Sequence, residues 1–292
     1  MTATALIEQL TAAGPVLTDG AWGTELQARG LAVGEIGDSW NLSHPERVEE
    51  VARAYVDAGS RVILTNTFRA NRIALERYPD CARVVDINRA GVEISRRAAG
   101  ARALVFASIG PSGKMLAAGA VSETDLIDAY TEQVRALAGA GADGLVVETM
   151  TDLVEARIAV QAAVATGLPV VACMVFDSGK KRDRTMMGVG PEEAASVLTR
   201  VGVHVVGANC GTGIEDCVPI CAALAAATER PIWIKPNAGQ PEFVDGRIVY
   251  RMSPATFAGY VPRLIAAGAK FIGGCCGTAP SFVAAIRATI GD

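Results

Sequence analysis

Strand-like and helix-like segments alternate eight times along the 292 residues. Most of the strand-like segments are near-continuous apolar runs, and polar and thiol side chains collect at their C-terminal ends. Alternation of this kind predicts a parallel sheet covered by helices on both faces, and eight repeats predict closure. The expected fold class is therefore α/β, a single (β/α)8 TIM barrel occupying residues 1–292 as one domain. An open doubly wound sheet would need dividing helices and a switch point that have no place in this pattern.

The elements follow in order. Val16-Leu17-Thr18 reads as a first strand ending in Asp19-Gly20-Ala21-Trp22-Gly23, and a helix is expected over 45–58 with Ser43 as its cap. The second strand is expected over 61–65, a helix over 86–99, and the third strand over 103–109, stopped by Gly110-Pro111. A long helix over 123–140 follows Ser122, then a strand over 144–147 ending in Glu148-Thr149. Helices are expected over 153–165, 191–200, 214–227, 253–267 and 280–290. Strands are expected over 169–176, 203–208, 231–235 and 270–274. Two stretches exceed a simple connection. Residues 177–190 form a polar loop carrying Lys180, Lys181, Arg182 and Arg184, read as a solvated excursion, and Val244-Asp245-Gly246-Arg247 is a two-residue hairpin turn.

Composition narrows the function classes. Half of the residues are hydrophobic and 31 are glycine, which suits a packed chain and not a disordered one. A net charge of −4 offers no basic excess for phosphates, so nucleic acid is not an expected partner. No run approaches eighteen apolar residues, so no membrane span is expected. Residues 1–14 lack the pattern of a signal peptide. Seven cysteines in a chain of this size do not make a disulfide framework and read as reduced thiols, which points to a cytoplasmic setting.

The chemistry centres on Phe271-Ile272-Gly273-Gly274-Cys275-Cys276-Gly277-Thr278. Successive strand side chains point to opposite faces, so adjacent thiols share a target only where the strand has ceased to be regular. The three glycines supply that freedom. Two converging thiolates suit a soft, borderline metal, most often zinc, and the third sulfur is expected from Cys210 in Val206-Gly207-Ala208-Asn209-Cys210-Gly211. Three protein ligands leave a fourth position for substrate. An anionic three-thiolate site is a poor activator of water; its natural partner is a substrate thiol, which ionises on binding and becomes a nucleophile for alkylation. The remaining strand ends carry Asp19, Thr65-Asn66, Ser108, Glu148, Asp177 and Asn237. Asp19 and Glu148 can hold the ammonium of an amino-acid thiol, with backbone N–H groups from Gly20 to Gly23 on its carboxylate. Each also has an ordinary reading, Asp19 as a turn residue and Glu148 as a helix N-terminal charge.

These stretches resemble the homocysteine S-methyltransferase family. The matching motifs are Asp19 to Leu26, Thr65-Asn66-Thr67-Phe68, Ser108-Ile109-Gly110-Pro111, Glu148-Thr149, Gly207 to Cys210, Lys235-Pro236-Asn237-Ala238-Gly239 and Gly273 to Thr278. The resemblance implies a barrel, zinc held by Cys210, Cys275 and Cys276, and homocysteine held through Asp19, Gly20, Ala21, Thr65 and Glu148. Trp22 stands where the family commonly has a smaller or more flexible residue. Phe176-Asp177, Arg184 to Gly188 and the Asn237-Ala238-Gly239 region look most like the homocysteine module of cobalamin-dependent methionine synthase. The corrinoid and folate modules of that enzyme have no counterpart in one barrel of this length.

The expected activity is zinc-dependent methyl transfer to homocysteine, forming methionine. A small onium donor (S-methylmethionine, S-adenosylmethionine or betaine) suits a lone barrel, because an anion attacking a cation neutralises charge in the transition state. Trp22 and Phe68 are candidates to face that cation. The alternatives are a methylated corrinoid, free or on a separate protein docking near Lys180–Arg184; a Schiff-base lyase using Lys235; and a non-catalytic zinc or thiol binder.

Overall fold

The computed structural model describes residues 1–32, 34–244 and 247–291. Eight parallel strands form the barrel: β1 (Val16–Leu17), β2 (Val62–Ile63), β3 (Leu104–Ile109), β4 (Gly144–Met150), β5 (Val170–Met174), β6 (Val205–Cys210), β7 (Ile232–Pro236) and β10 (Ala269–Ile272). Their order around the sheet is β1-β10-β7-β6-β5-β4-β3-β2. Closure comes from a parallel bridge between Thr18 and Val62 and from the Arg61 N–H donating to the Leu17 carbonyl at 2.8 Å. The two short strands β8 (Glu242–Val244) and β9 (Arg247–Val249) pair as an antiparallel hairpin beside the barrel. The expected turn residues Asp245 and Gly246 lie outside the described residues.

Inside the barrel, Val16, Val62, Leu64, Phe106, Val146, Val171, Cys173, Val205, Trp233 and Phe271 form one buried cluster. Trp233 stacks on Phe271 with ring centroids 5.1 Å apart and on Phe106 at 6.4 Å. Ile7 and Leu10 of an N-terminal helix (Ala3–Thr11) join this cluster, an element the sequence pattern did not suggest. Side chains two apart on a strand share a face. The inward position after Phe106 is therefore Ser108, after Val146 Glu148, and after Trp233 Lys235, so the interior turns from apolar to polar in one step.

Several boundaries differ from expectation, each for a local reason. The helix expected over 253–267 is two, Pro254–Ala258 and Val261–Ala266. Pro262 lacks an N–H and its ring clashes with the carbonyl four residues back, so it opens a helix instead of continuing one. Ser43 does not cap the helix at Pro45; His44 holds that position, and the Ser43 hydroxyl contacts the Ser39 carbonyl and His44 Nδ1. Ser122 does cap the helix Glu123–Gly139, in a reciprocal box with Asp125. A short helix, Trp22–Ala28, begins inside the stretch expected to be a loop. β4 and β6 run further than expected, through Glu148 and up to Cys210, whereas β10 stops at Ile272, before Gly273 and Gly274.

Candidate active site at the barrel mouth

The strand ends surround a cavity of about 380 Å3. Its lining includes Glu148, Lys235, Trp22 and Phe68 together with Cys210, Cys275 and Cys276. Gly20, Ala21 and Thr65, three of the expected substrate contacts, also line it. The sulfurs of Cys210, Cys275 and Cys276 lie within 4.8 Å of one another, and all three residues are partly accessible free thiols.

Backbone geometry explains the convergence. Cys210 ends β6 with φ 63°, a left-handed conformation uncommon for a residue with a side chain, which turns its thiol off the regular strand. At the other pair, glycine is required mainly for space. A side chain on Gly273 would sit 2.0 Å from Thr18 Oγ1 and 2.5 Å from the Asp19 carbonyl. That close approach lets the chain bend after β10 and bring Cys275 and Cys276 over the mouth. Gly277 combines a positive φ of 81° with the Tyr250 ring packed against it. Two asparagines fix the thiol-bearing loops. Asn237 accepts from the Cys276 N–H at 3.0 Å and donates to the Gly211 carbonyl at 2.6 Å. Asn209 donates toward Cys275 Sγ at 3.8 Å.

The thiols share hydrogen bonds. Those from Cys275 and Cys276 pull the Cys210 pKa down, while the same contacts, with burial, push Cys275 and Cys276 up. One proton leaves this triad early and the others late. Three soft sulfurs within reach of a single point, with one open side toward the cavity, fit a borderline metal such as zinc. Cys217 and Cys221 are buried on the helix Ile214–Ala226, with burial pushing the Cys221 thiol up to about 12, and Cys173 sits inside the barrel. None of these belongs to the triad.

Glu148 is 7% exposed, and burial raises its carboxyl pKa against the opposing influence of Lys235 and Ser108. Ser108 Oγ donates to Glu148 Oε1 at 2.5 Å, and Asn209 donates to Oε2 at 3.3 Å. Glu148 is not the cap of the following helix, because Asp152 accepts from the Val154 and Glu155 N–H groups there. Glu148 takes its inward position by regular alternation after Val146, and the strand becomes irregular just beyond it, where the register of β4 against β5 shifts after Val147 and Thr149 has φ 60°.

Asp19 lies beneath the cavity and is fully buried. One oxygen is ion-paired with Lys235 Nζ; the other accepts from Trp22 Nε1 and the Leu64 N–H, each at 2.7 Å. Its partners within the protein are thus Lys235, Trp22 and the backbone, and it meets the mouth through them. Burial lowers the Lys235 pKa, but Asp19 and Glu148 outweigh it and hold the ammonium above its usual value. A Schiff-base lysine has to shed that proton, so the pair disfavours the lyase reading. Ala21 spends its N–H on the Thr278 carbonyl at 3.0 Å, so of the expected backbone donors from Gly20 to Gly23 this one is already engaged. The Thr65 hydroxyl donates to Thr67, whose own proton goes to the Ser108 carbonyl.

From the sequence, Lys235 stands out only as part of a motif and as a lyase candidate, Asn209 only inside a motif, Asn237 only as a motif and strand-end residue, and Tyr250 not at all. The available signal was position: Asn209 and Lys235 are paired neighbours on β6 and β7, one step above the apolar plug.

Relatives share this architecture. A methionine synthase of Mycobacterium tuberculosis is 29% identical over 94% of this chain and 24% of that protein. The chain thus spans about a quarter of the length of the methionine synthases it matches. Betaine–homocysteine S-methyltransferase 1 of Danio rerio is 28% identical over 96% of this chain and 74% of its own. The crystal structure of the homocysteine methyltransferase MmuM from Escherichia coli, in its metallated form, superposes with a TM-score of 0.81 at 27% identity, covering 97% and 99% of the two chains. Residues 16–290 match the family model described as Homocysteine S-methyltransferase, and on that match the chain belongs to the homocysteine S-methyltransferase family.

Proposed function

We propose that the chain transfers a methyl group to the sulfur of homocysteine, forming methionine, with Cys210, Cys275 and Cys276 holding zinc. The observation that carries this reading is the meeting of three thiols and one buried carboxylate on a single cavity. When bound, zinc would supply the Lewis acidity that lowers the pKa of a substrate thiol to that of a thiolate at neutral pH. The rest falls to the chain. Glu148 binds the substrate ammonium, Lys235 and Asp19 fix the polar floor beside it, and backbone N–H groups in the stretch Gly20 to Gly23, other than that of Ala21, take the carboxylate. Sulfur attacks the methyl carbon in line; the donor's bond to that carbon breaks, its electrons leave with the departing group, and the thiol proton passes to solvent.

The donor in this reading is a small onium compound: S-methylmethionine, S-adenosylmethionine or betaine. Such donors leave as uncharged groups, and Trp22 and Phe68 line the same cavity as the thiols. The match to methionine synthases supports a second reading, in which a methylated corrinoid delivers the methyl group, free or on a separate protein. The reading also takes residues 1–292 as one working unit in a reducing, cytoplasmic setting, consistent with seven free cysteines. Among the described residues no helix is long and apolar enough to cross a membrane. The test is methionine formation by reduced, zinc-loaded protein with each onium compound and with methylcobalamin, each supplied alone. Turnover with an onium donor is the expected result. Turnover with methylcobalamin alone replaces the donor, and no turnover with any, alongside tight homocysteine binding, makes the chain a thiol binder.

A further inference from the structure

We propose that Asn209 is a positioning residue that couples the amino-acid side of the mouth to its thiol side. This rests on the function proposed above. Asn209 is 2% exposed and is the last residue of β6 before Cys210. Its side-chain oxygen accepts from the Thr149 N–H at 2.7 Å. Its amide nitrogen faces three acceptors: Thr149 Oγ1 at 2.7 Å, Glu148 Oε2 at 3.3 Å and Cys275 Sγ at 3.8 Å.

An amide nitrogen carries two hydrogens. The Thr149 contact takes one at full strength. The second is shared between the carboxylate of the expected ammonium site and a sulfur of the expected metal site, and both of those contacts are long for hydrogen bonds. Asn209 is therefore the one residue whose side chain touches Glu148 and Cys275 together among the hydrogen bonds described here. The second hydrogen thus ties the Glu148 carboxylate and the Cys275 sulfur to one side chain and holds both in the orientation their ligands need. Removing this side chain therefore loosens both sides at once.

The backbone around Asn209 points the same way. Thr149 and Cys210 are two of only three non-glycine residues with positive φ among the described residues, at 60° and 63°. Such conformations persist where neighbours over-determine them. Asn209 holds Thr149 by both its N–H and its hydroxyl, and is itself bonded to Cys210 in sequence. One side chain thereby keeps in register the two irregular strand ends that present Glu148 and Cys210.

Two neighbours provide contrasts. Asn237 touches only the thiol side, through Cys276 and Gly211. Ser108 touches Glu148 and no thiol among the hydrogen bonds described. The experiment measures two dissociation constants on the full, reduced chain: zinc, by competition with a chromophoric chelator, and 2-aminobutyrate, an amino acid without sulfur, by calorimetry on metal-free protein. Asn209→Ala is expected to weaken zinc by roughly 10- to 100-fold, the range for residues that orient ligands, and 2-aminobutyrate by roughly tenfold, the scale of one hydrogen bond to a charged group. Asn237→Ala should move only the zinc constant, and Ser108→Ala only the amino-acid constant. Asn209→Asp keeps the shape and the acceptor for Thr149 but sets a carboxylate beside Glu148 and Cys275, so both losses should be at least as large. Partial unfolding lowers stoichiometry and leaves the constants of surviving sites unchanged, so the constants themselves must move. If both Asn209 variants shift one constant or neither, while wild type binds both ligands, the coupling is overturned and the function stands. If wild-type protein binds neither homocysteine nor 2-aminobutyrate, the function falls and the coupling with it.

Discussion

The barrel plug and the barrel mouth are built by the same strands, two residues apart, and use burial in opposite ways. In the plug, Phe106, Val146, Trp233 and Phe271 exchange water for close packing, so burial is itself the stabilising term. In the mouth, Ser108, Glu148 and Lys235 occupy the positions next after Phe106, Val146 and Trp233, and burial works against every charge placed there. The mouth persists because each group is held by another: Lys235 by Asp19, Glu148 by Ser108, Thr149 by Asn209. The contrast teaches that function here is carried where the fold is least favourable by its own accounting, and that the apolar layer directly below is what makes the arrangement tolerable.

The largest effects should come from the thiols. Cys210→Ser, Cys275→Ser or Cys276→Ser should each abolish stoichiometric zinc and activity with little change in the melting of the metal-free protein, whereas Cys217→Ser should leave zinc content unchanged. Metal analysis and circular dichroism on the four variants check this. A metal-free preparation with full activity would remove the thiols from the chemistry and erase the contrast.

Next comes the plug. Trp233→Ala should cost about 3–5 kcal/mol of stability by removing the largest fully buried side chain. Below its lowered melting temperature the surviving protein should keep the wild-type KM for homocysteine. Denaturant unfolding together with KM is the measurement; a KM shifted as far as the stability would show plug and mouth to be one unit.

Asp19→Asn tests the boundary between the regions. It breaks the charge pairing of buried Lys235 and should cost about 3 kcal/mol of stability, near the low end for buried pairs because Glu148 remains as a partner. Homocysteine binding should weaken less than in Glu148→Gln. The reverse order, measured by calorimetry, would make Asp19 a direct substrate contact.

Glu148→Gln should weaken homocysteine binding by about 1–3 kcal/mol, the scale for a lost charged hydrogen-bond partner. It should also raise the stability of the free protein at neutral pH, since burial lifts the Glu148 pKa above the ordinary carboxyl value. A carboxyl raised on folding favours the folded state in its protonated form; that contribution is complete below the unfolded pKa and is lost as pH rises through the folded one. Gln at this position should therefore flatten the decline in stability between mildly acidic and neutral pH. Thermal melts of both proteins across that window give the answer, and parallel curves would mean that Glu148 ionises in the fold as easily as in water.

Much of this was legible in the chain before folding. Eight apolar runs separated by amphipathic segments specify a barrel because covered strands need apolar residues on both faces, and that requirement is local. The Gly-Gly-Cys-Cys-Gly run and the Asn-Cys-Gly run announce themselves because few structural needs place thiols among glycines. Helix Pro254–Ala258 and its neighbour Val261–Ala266 were legible too, had Pro262 been given its full weight as a breaker.

Contacts distant in sequence were decided only by the tertiary structure. Asp19 and Lys235 are 216 residues apart, and neither has a local feature that names the other. In sequence, Asp19 heads a motif and resembles a substrate ligand; in the fold, its oxygens belong to Lys235, Trp22 and Leu64. Asn209 and Glu148 meet across 61 residues at inward positions near the ends of β6 and β4, just before the left-handed Cys210 and Thr149, and a left-handed residue on a strand leaves no mark in hydrophobic periodicity. Residue type and spacing determined which groups stand at the mouth. Closure of the sheet, which brings β1 beside β10 and β2, determined which of them touch, because side-chain contacts around a ring depend on three-dimensional register and not on order along the chain.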